Sequence, residues 1–301
     1  MTPPSAANLP VQDTIRGILL MCGAFIAFSL LDTAAKYLGQ IYPMVQVVWA
    51  RYVGHAGLAL LLVWMHRRQR PWRSARPGLQ LIRGCLLLFG TSLNFLALRY
   101  LQLAETASIY FSTPLLVAAL AVPLLGERIG PRRLIAIVVG FIGVIIVIRP
   151  GLGMIHWAAI FSCLVAISGA FYQILTRMLA GSDSPHTAQL YAGVIGLSAT
   201  TPFMPFEWVP PEGVAIPLML VIGLIGGVGH WMLTVAHAYA PAPILAPFTY
   251  TQIVWMPVLG YVVFGNIPSP YVLLGGAIVV ASGLYLLHRE RAVKAKAPPP
   301  V

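Results

Sequence analysis

The chain has little charge. Asp, Glu, Lys and Arg make up only 9% of its 301 residues, and 58% of the residues are hydrophobic, whereas soluble domains carry about 25% charged residues. Nearly all the apolar residues fall in runs of roughly 18 to 24, each long enough to cross about 30 Å of hydrocarbon. This scarcity of charge excludes a soluble domain and predicts a polytopic membrane protein.

The motifs of familiar enzymes are also missing. The sequence has no phosphate-cradling P-loop, no His-Glu-x-x-His and no Gly-x-Ser-x-Gly. Cys22, Cys85 and Cys163 lie inside apolar runs without metal-ligand spacing, and we expect them to be small buried hydrophobic residues. We therefore predict no enzyme, no cofactor and no metal site. Without a nucleotide-binding domain in the chain, transport would draw on an ion gradient or the substrate's own gradient.

Acidic residues are scarcer than basic ones, with 8 against 19 and a formal net charge of +11. The basic residues form no single face, which excludes a nucleic-acid partner. They fall in alternate connections, at 67–83, 128–133 and 289–296, while the intervening connections hold few cations, among them Lys36. This asymmetry predicts that both termini lie in the cytoplasm. The N-terminal segment has no basic cluster or cleavage site, so we expect the first run to be kept as a helix.

Ten apolar runs can be drawn. All are expected to be helical, because only helices satisfy their own backbone groups in lipid and the alternation of a barrel is absent. Their approximate spans are 15–38, 43–65, 79–100, 104–125, 132–149, 156–179, 187–206, 216–240, 243–264 and 271–288.

The runs form two copies of one unit, since a shift of 139 positions aligns residues such as Gly84 and Gly223 without a gap. Five helices per copy is an odd number, so the second copy enters the membrane from the opposite side. We predict an all-α fold of ten transmembrane helices in a five-plus-five inverted repeat. The repeats span 1–150 and 151–290, followed by a basic, proline-rich cytoplasmic tail at 291–301.

Prolines interrupt the fourth and ninth runs near the middle of the membrane. Pro114 cannot donate to the carbonyl of Tyr110, which is left to Ser112, water or a ligand. Tyr110 and Thr113 fall on one face. The corresponding polar residues of the ninth run are Thr249, Tyr250 and Gln252. These patches favour a cavity lining, with plain hydrogen bonding between helices as the alternative.

The first two runs carry opposite charges. Asp32 and Arg51 lie equally far from the turn between the runs, so an antiparallel hairpin would place them at one depth, where a lone charge costs at least about 2.5–3.5 kcal/mol. Lys36 and His55, each one turn away, could compete for the partner. Two interpretations stay open: a permanent ion pair, or groups that act during transport, with Asp32 protonated or Arg51 gripping a carboxylate or phosphate.

Histidines give the eighth run a polar stripe. His230, Thr234 and His237 recur at helical spacing beside Trp231. A proton-relay or substrate role for His230 competes with that of a core histidine. The sixth run adds Tyr172.

Two carboxylates are assigned structural roles, Glu105 at the start of the fourth helix and Glu127 beside nearby arginines.

These features together resemble the EamA-type transporters of the drug/metabolite transporter superfamily over nearly the whole chain. The matching residues are Asp32-x-x-x-Lys36, Arg51, Pro114 and Leu125-Gly126-Glu127-Arg128. The second copy has Gly265-Asn266 where the family often keeps a glutamate. The resemblance implies carriers of small metabolites in the bacterial inner membrane. The local sequences around Asp32, Arg149-Pro150-Gly151 and Gly229-His230 most resemble those of the family members described as S-adenosylmethionine uptake carriers.

The sequence thus predicts a secondary transporter that works by alternating access on an amino-acid-like, nucleoside-like or S-adenosylmethionine-like metabolite. A flippase for a lipid-linked metabolite and an intramembrane receptor or enzyme are the alternatives. The expected partners are the metabolite, the lipid bilayer and a proton as coupling ion, and the chain is expected to act as a monomer or homodimer. The predicted substrate-binding residues are Asn94, Tyr110, Thr113, Tyr172, His230, Trp231, Tyr250 and Gln252, with Asp32, Arg51 and His55 for charge pairing or coupling.

Overall fold

The computed structural model describes residues 11–65, 72–125, 130–149, 157–179, 182–240 and 242–296. Every regular element in these ranges is a helix, which confirms the all-α prediction. The α-helices are α1 (Val11–Ile41), α2 (Met44–Met65), α3 (Pro77–Tyr100), α4 (Leu103–Tyr110), α5 (Thr113–Leu125), α6 (Pro131–Ile148), α7 (Ala159–Leu179), α8 (Pro185–Thr200), α9 (Met204–Glu207), α10 (Ala215–Tyr239), α11 (Ala242–Leu245), α12 (Gln252–Phe264) and α13 (Pro270–Lys296). Two 3₁₀ segments, Thr201–Phe203 and Ala246–Thr251, precede α9 and α12.

The helices fall into the ten predicted runs. Within the described ranges, eight helical stretches are long and apolar enough to cross a membrane, counting α4 and α5 as one. The remaining runs are shorter: α8 has 16 residues before its 3₁₀ turn, and α12 has 13 after α11 and its 3₁₀ segment. Polar breaks and short segments of this kind are typical of carriers, because unwound backbone is tolerated where it is enclosed by protein.

Contacts between the two repeats follow the predicted inversion. Helix α1 packs along α10, and its counterpart α7 packs along α3. Equivalent helices also meet each other, α2 with α8 and α6 with α13. The repeats are therefore interleaved, and each contributes helices to the surroundings of the other.

Glycines at equivalent positions make equivalent contacts in the two repeats. Gly223 of α10 lies against the backbone of Gly54 in α2, and its counterpart Gly84 of α3 lies against Ile195 in α8. One and a half turns further along, Gly229 faces Phe28 of α1. Its counterpart Gly90 faces Ser168 of α7. These small residues let α10 and α3 each approach two helices of the other repeat.

As a result, α10 lies between α1 and α2. Gly226 of α10 faces Leu31 of α1 on one side and the Arg51 side chain of α2 on the other. By the same symmetry, α3 packs against both α7 and α8. The first two helices, although joined by a short turn, do not form the closed antiparallel hairpin that the sequence suggests.

Candidate functional site

The breaks in the fourth and ninth runs are closed by hydroxyl groups. The Thr113 hydroxyl donates to the Tyr110 carbonyl at 2.6 Å, and the Ser112 hydroxyl donates to Ile109 O at 2.7 Å. The freed carbonyl of Tyr110 is thus taken by Thr113 and not by Ser112. In the 3₁₀ segment before α12, Thr249 donates to Ala246 O. These hydroxyls compensate for hydrogen bonds that the helix breaks remove.

Asp32 and Lys36 both bind α3, at successive turns. Asn94 Nδ2 donates to Asp32 Oδ1 at 2.9 Å. Lys36 Nζ donates to the carbonyls of Leu98 and Leu101 at 2.7 and 2.6 Å, where the end of α3 leaves carbonyl groups free. Lys36 therefore does not compete with Arg51 for Asp32, and it lies inside α1 and not in a connection, contrary to the prediction.

Arg51 is buried without a salt bridge. Its side chain is 2% exposed, and its Nε and Nη1 atoms have no hydrogen-bond partner. Its guanidinium lies over the Tyr52 ring, 4.6 Å from the centroid. The permanent ion pair with Asp32 is not formed, since the one salt bridge within 4.0 Å among the described residues is Arg16–Asp13. Helix α10 packs against both α1 and α2 and keeps the two residues apart.

Two histidines adjoin Arg51. His55 is buried, and neither of its ring nitrogens has a hydrogen-bond partner. The His230 ring of α10 lies 6.0 Å from the His55 ring and 4.9 Å from the Phe28 ring, measured between centroids. The structure therefore places His55, His230 and Arg51 in one buried group at the seam where α10 separates α1 and α2. The side chains of Thr234 and His237 lie outside the described residues, as does Glu127.

A second buried arginine was missed by the sequence reasoning, which placed Arg83 in a cytoplasmic connection. Arg83 lies inside α3, and all of its nitrogens donate hydrogen bonds. Nη2 reaches Tyr172 Oη at 2.6 Å, and Nε reaches Thr176 Oγ1 at 2.8 Å. Nη1 is shared between Gln80 Oε1 and Ala188 O, at 3.3 and 3.4 Å. The signal was available, since position 83 falls within the predicted third run. Tyr172 is therefore the acceptor of a structural arginine.

The other predicted site residues are divided among three places. Tyr110 and Thr113 both adjoin Gly169 of α7. Tyr250 packs against Phe111, at 5.3 Å between ring centroids, and against Gly283 of α13. Gln252 is buried at the start of α12.

Glu105, by contrast, has the structural role that the sequence predicts. Its carboxylate accepts a hydrogen bond from the Gln102 amide and so caps the start of α4.

Trp231 belongs to the outer surface. It is 39% exposed and continues a stripe of exposed apolar residues along α10, Leu220, Leu224 and Val228. Because adjacent helical residues point about 100° apart, Trp231 cannot share the direction of His230. Its predicted role in substrate binding stays a prediction.

Two polar clamps lie at opposite ends of the bundle, at positions related by the repeat. In the amide clamp, Gln46 of α2 exchanges two hydrogen bonds with the backbone of Val209, and the Glu212 amide donates to Tyr42 Oη at 3.0 Å. A cleft of about 620 Å³ opens beside this clamp, between the turn at 41–45 and the residues Arg99 and Glu207.

In the carboxylate clamp, Asp183 of the α7–α8 connection accepts hydrogen bonds from Ser74, Gln80 and the Ala75 amide. Burial works to raise the pKa of Asp183, but these three hydrogen bonds and the charge of Arg76 outweigh it and hold the pKa below its ordinary value. Gln80 also accepts from Arg83, so this clamp is connected to the buried arginine.

Comparison with known proteins gives a family and several relatives. The model of the EamA-like transporter family matches residues 15–149 and again residues 156–288. An S-adenosylmethionine uptake transporter of Rickettsia felis is 25% identical, with 94% of this chain and 96% of that protein covered. A riboflavin transporter of Rhizobium johnstonii is 28% identical, with 96% of both chains covered. A pseudopaline exporter of Pseudomonas aeruginosa is 23% identical over 93% of this chain and 99% of that protein. One solved crystal structure shares the fold, with a TM-score of 0.65 and 17% identity over 93% of this chain and 99% of the other.

Proposed function

The chain belongs to the EamA-like transporter family, and from that premise we propose that it is a secondary carrier which moves a small metabolite by alternating access. The observation that carries the proposal is Arg51. A permanently charged guanidinium, 2% exposed and without a hydrogen-bond partner on Nε or Nη1, lies where helices of the two repeats meet. Such a group is costly in a membrane unless a ligand completes it.

The surroundings of Arg51 support a substrate site. Asp32 of α1 is held by Asn94, and the His230 ring of α10 lies 6.0 Å from the His55 ring of α2. The broken fourth run brings Tyr110 and Thr113 against Gly169 of α7. Discontinuous helices near the bilayer midplane are where inverted-repeat carriers hold their substrates.

The two clamps support alternating access. They join equivalent segments at opposite ends of an inverted repeat, and both are closed here. In the proposed cycle each clamp opens in turn, while the central site between them is retained. In this proposal the positive-inside pattern predicts that both termini and the carboxylate clamp face the cytoplasm and that the amide clamp faces the other side of the bacterial inner membrane.

Counterflow in proteoliposomes tests the carrier. The purified chain is reconstituted, loaded with unlabelled S-adenosylmethionine, riboflavin or a mixture of amino acids, and given the same compound in labelled form outside. We expect at least one compound to accumulate transiently and saturably, unchanged in structure. Movement of a lipid-linked fluorescent metabolite without any counterflow would instead establish a flippase, and chemical conversion would establish an enzyme.

A further inference from the structure

We infer that the cleft beside the amide clamp is a second binding site, which takes a small dipolar ligand and thereby holds the clamp closed. Such a ligand has an anionic group at one end for Arg99, a cationic group at the other for Glu207, and an apolar body between them. None of the described residues that line the cleft belongs to the group around Arg51. The inference therefore adds a site to the protein and assigns no transported substrate to the central one.

Segments of both repeats bound the cleft. On the first-repeat side are the α1–α2 turn and Arg99, which lies in the last turn of α3. On the second-repeat side are Glu207, at the end of α9, and Val209 in the connection that follows. The cleft volume of about 620 Å³ falls within the range of small-molecule sites, about 300–1,000 Å³. A molecule bound in this cleft would therefore contact both repeats at once.

The cleft carries one charge of each sign, and the two do not pair. Arg99 and Glu207 both line it, yet they form no salt bridge with each other, and neither side chain makes a hydrogen bond within the described ranges. A purely anionic ligand would be repelled by Glu207, and a purely cationic one by Arg99. A ligand that carries both charges is attracted by both residues when its ends are oriented to match them.

The rest of the cleft wall is largely apolar. Ile41, Met44 and Val45 line it from the α1–α2 turn, and Val209 lines it from the opposite repeat. Ile41 is 56% exposed and Val209 is 43% exposed, so a ligand has apolar surface there to cover. Exposed ion pairs contribute little by themselves, whereas covering apolar surface removes it from contact with water. The ligand is therefore expected to have an apolar body as well as two charged ends.

Two residues of the cleft wall are also members of the amide clamp. Tyr42 accepts the hydrogen bond from the Glu212 amide, and the backbone of Val209 is bonded to Gln46. Opening the clamp would separate these segments and take the two walls of the cleft apart. A ligand shifts an equilibrium only by its difference in affinity for the two states, so a ligand that needs both walls favours the closed clamp.

Hydrogen exchange tests the site without a transport assay. The full chain in lipid nanodiscs is titrated with the dipeptide leucyl-leucine, and exchange of the Val209 and Glu212 amides is followed by mass spectrometry. At a concentration about ten times the measured Kd, we expect both amides to exchange about 10-fold more slowly, because only the ligand-free protein opens its clamp. The Ala75 amide, which is bonded in the carboxylate clamp, is the internal control and should exchange as before.

Blocked peptides and matched variants assign each charge to a residue. N-acetyl-leucyl-leucine, without the ammonium, and leucyl-leucinamide, without the carboxylate, should each bind about 2- to 5-fold more weakly than leucyl-leucine, as expected for the loss of one exposed ion pair. Arg99→Gln should abolish the discrimination against leucyl-leucinamide, and Glu207→Gln should abolish that against the acetylated peptide.

Charge reversal separates recognition from damage to the fold. Arg99→Glu alone should weaken leucyl-leucine binding, and the double variant Arg99→Glu with Glu207→Arg should restore it, because the dipeptide can bind in the opposite orientation. Arg132→Gln removes an exposed arginine at the start of α6, outside the cleft, and is the matched control that should bind like the wild type.

Three results overturn the inference. The first is that leucyl-leucine binds no more tightly than its blocked analogues. The second is that it protects the Ala75 amide as strongly as the Val209 amide, which would show a general stabilisation and no bridging of this cleft. The third is that the double reversal fails to restore the binding lost in Arg99→Glu. None of these measurements involves transport, so a failure of counterflow would bear on the carrier proposal alone.

Discussion

The two buried arginines occupy equivalent junctions of the inverted repeat but differ in their surroundings. Arg83 lies where α3 meets α7 and α8, and every nitrogen of its guanidinium donates a hydrogen bond. Arg51 lies where α10 meets α1 and α2, and two of its nitrogens have no partner. The same scaffold therefore holds one arginine that completes its own structure and one that is left open to a ligand. The inverted repeat builds both junctions, and the difference in hydrogen bonding between their arginines points to the Arg51 junction as the functional one.

The largest effect should come from removing each arginine in turn. Arg83→Met deprives Tyr172, Thr176 and Gln80 of a charged donor, and we expect a loss of about 3 kcal/mol or more in unfolding free energy. Arg51→Met removes an uncompensated buried charge, so ligand-free stability should stay within about 1 kcal/mol of the wild type or rise. Thermal unfolding of both variants in nanodiscs without ligand measures the difference. An equal loss in the two variants would show that Arg51 is held as firmly as Arg83.

A smaller effect should distinguish the glycines that build the two junctions. A Cβ on Gly223 would lie 2.5 Å from Arg51 O and 2.6 Å from Gly54 Cα, and backbone atoms cannot move aside. A Cβ on Gly84 would meet only the end of the Ile195 side chain, which can change rotamer. We expect Gly223→Ala to cost about 1–3 kcal/mol and Gly84→Ala clearly less. The same unfolding assay compares them, with Gly57→Ala as a control because open space surrounds that position. A greater loss for Gly84→Ala would contradict the close backbone contact at the Arg51 junction.

The sequence predicts the scaffold well and the partners of polar side chains poorly. Run length, loop charge and the 139-residue offset lead to ten helices in two inverted copies, because each depends on composition or periodicity. Of the two interpretations of Asp32 and Arg51 that the sequence leaves open, the permanent ion pair is not formed, because α10 is inserted between two helices that are adjacent in sequence. The exposure of Trp231 could not be predicted for a related reason, since composition does not reveal which face of α10 is turned outward. Most partners of Arg83 and Asp183 are distant in sequence, and no local pattern identifies such bonds.

The smallest effect should separate the two clamps, one titratable and one not. Because its hydrogen bonds hold the pKa of Asp183 below the unfolded value of about 3.9, the carboxylate stabilises the folded state above that pH. This contribution is lost as the pH falls through the lowered folded pKa. Asp183→Asn should therefore speed hydrogen exchange of the Ala75 amide at neutral pH by about 2- to 10-fold and leave the Val209 amide of the amide clamp unchanged. Acidification to about pH 3 should speed Ala75 exchange in the wild type relative to the variant, after correction for the intrinsic rate. Equal changes in the exchange rates of the Ala75 and Val209 amides would contradict this prediction. They would show that the two clamps open together and that Asp183 gives its end of the bundle no separate pH sensitivity.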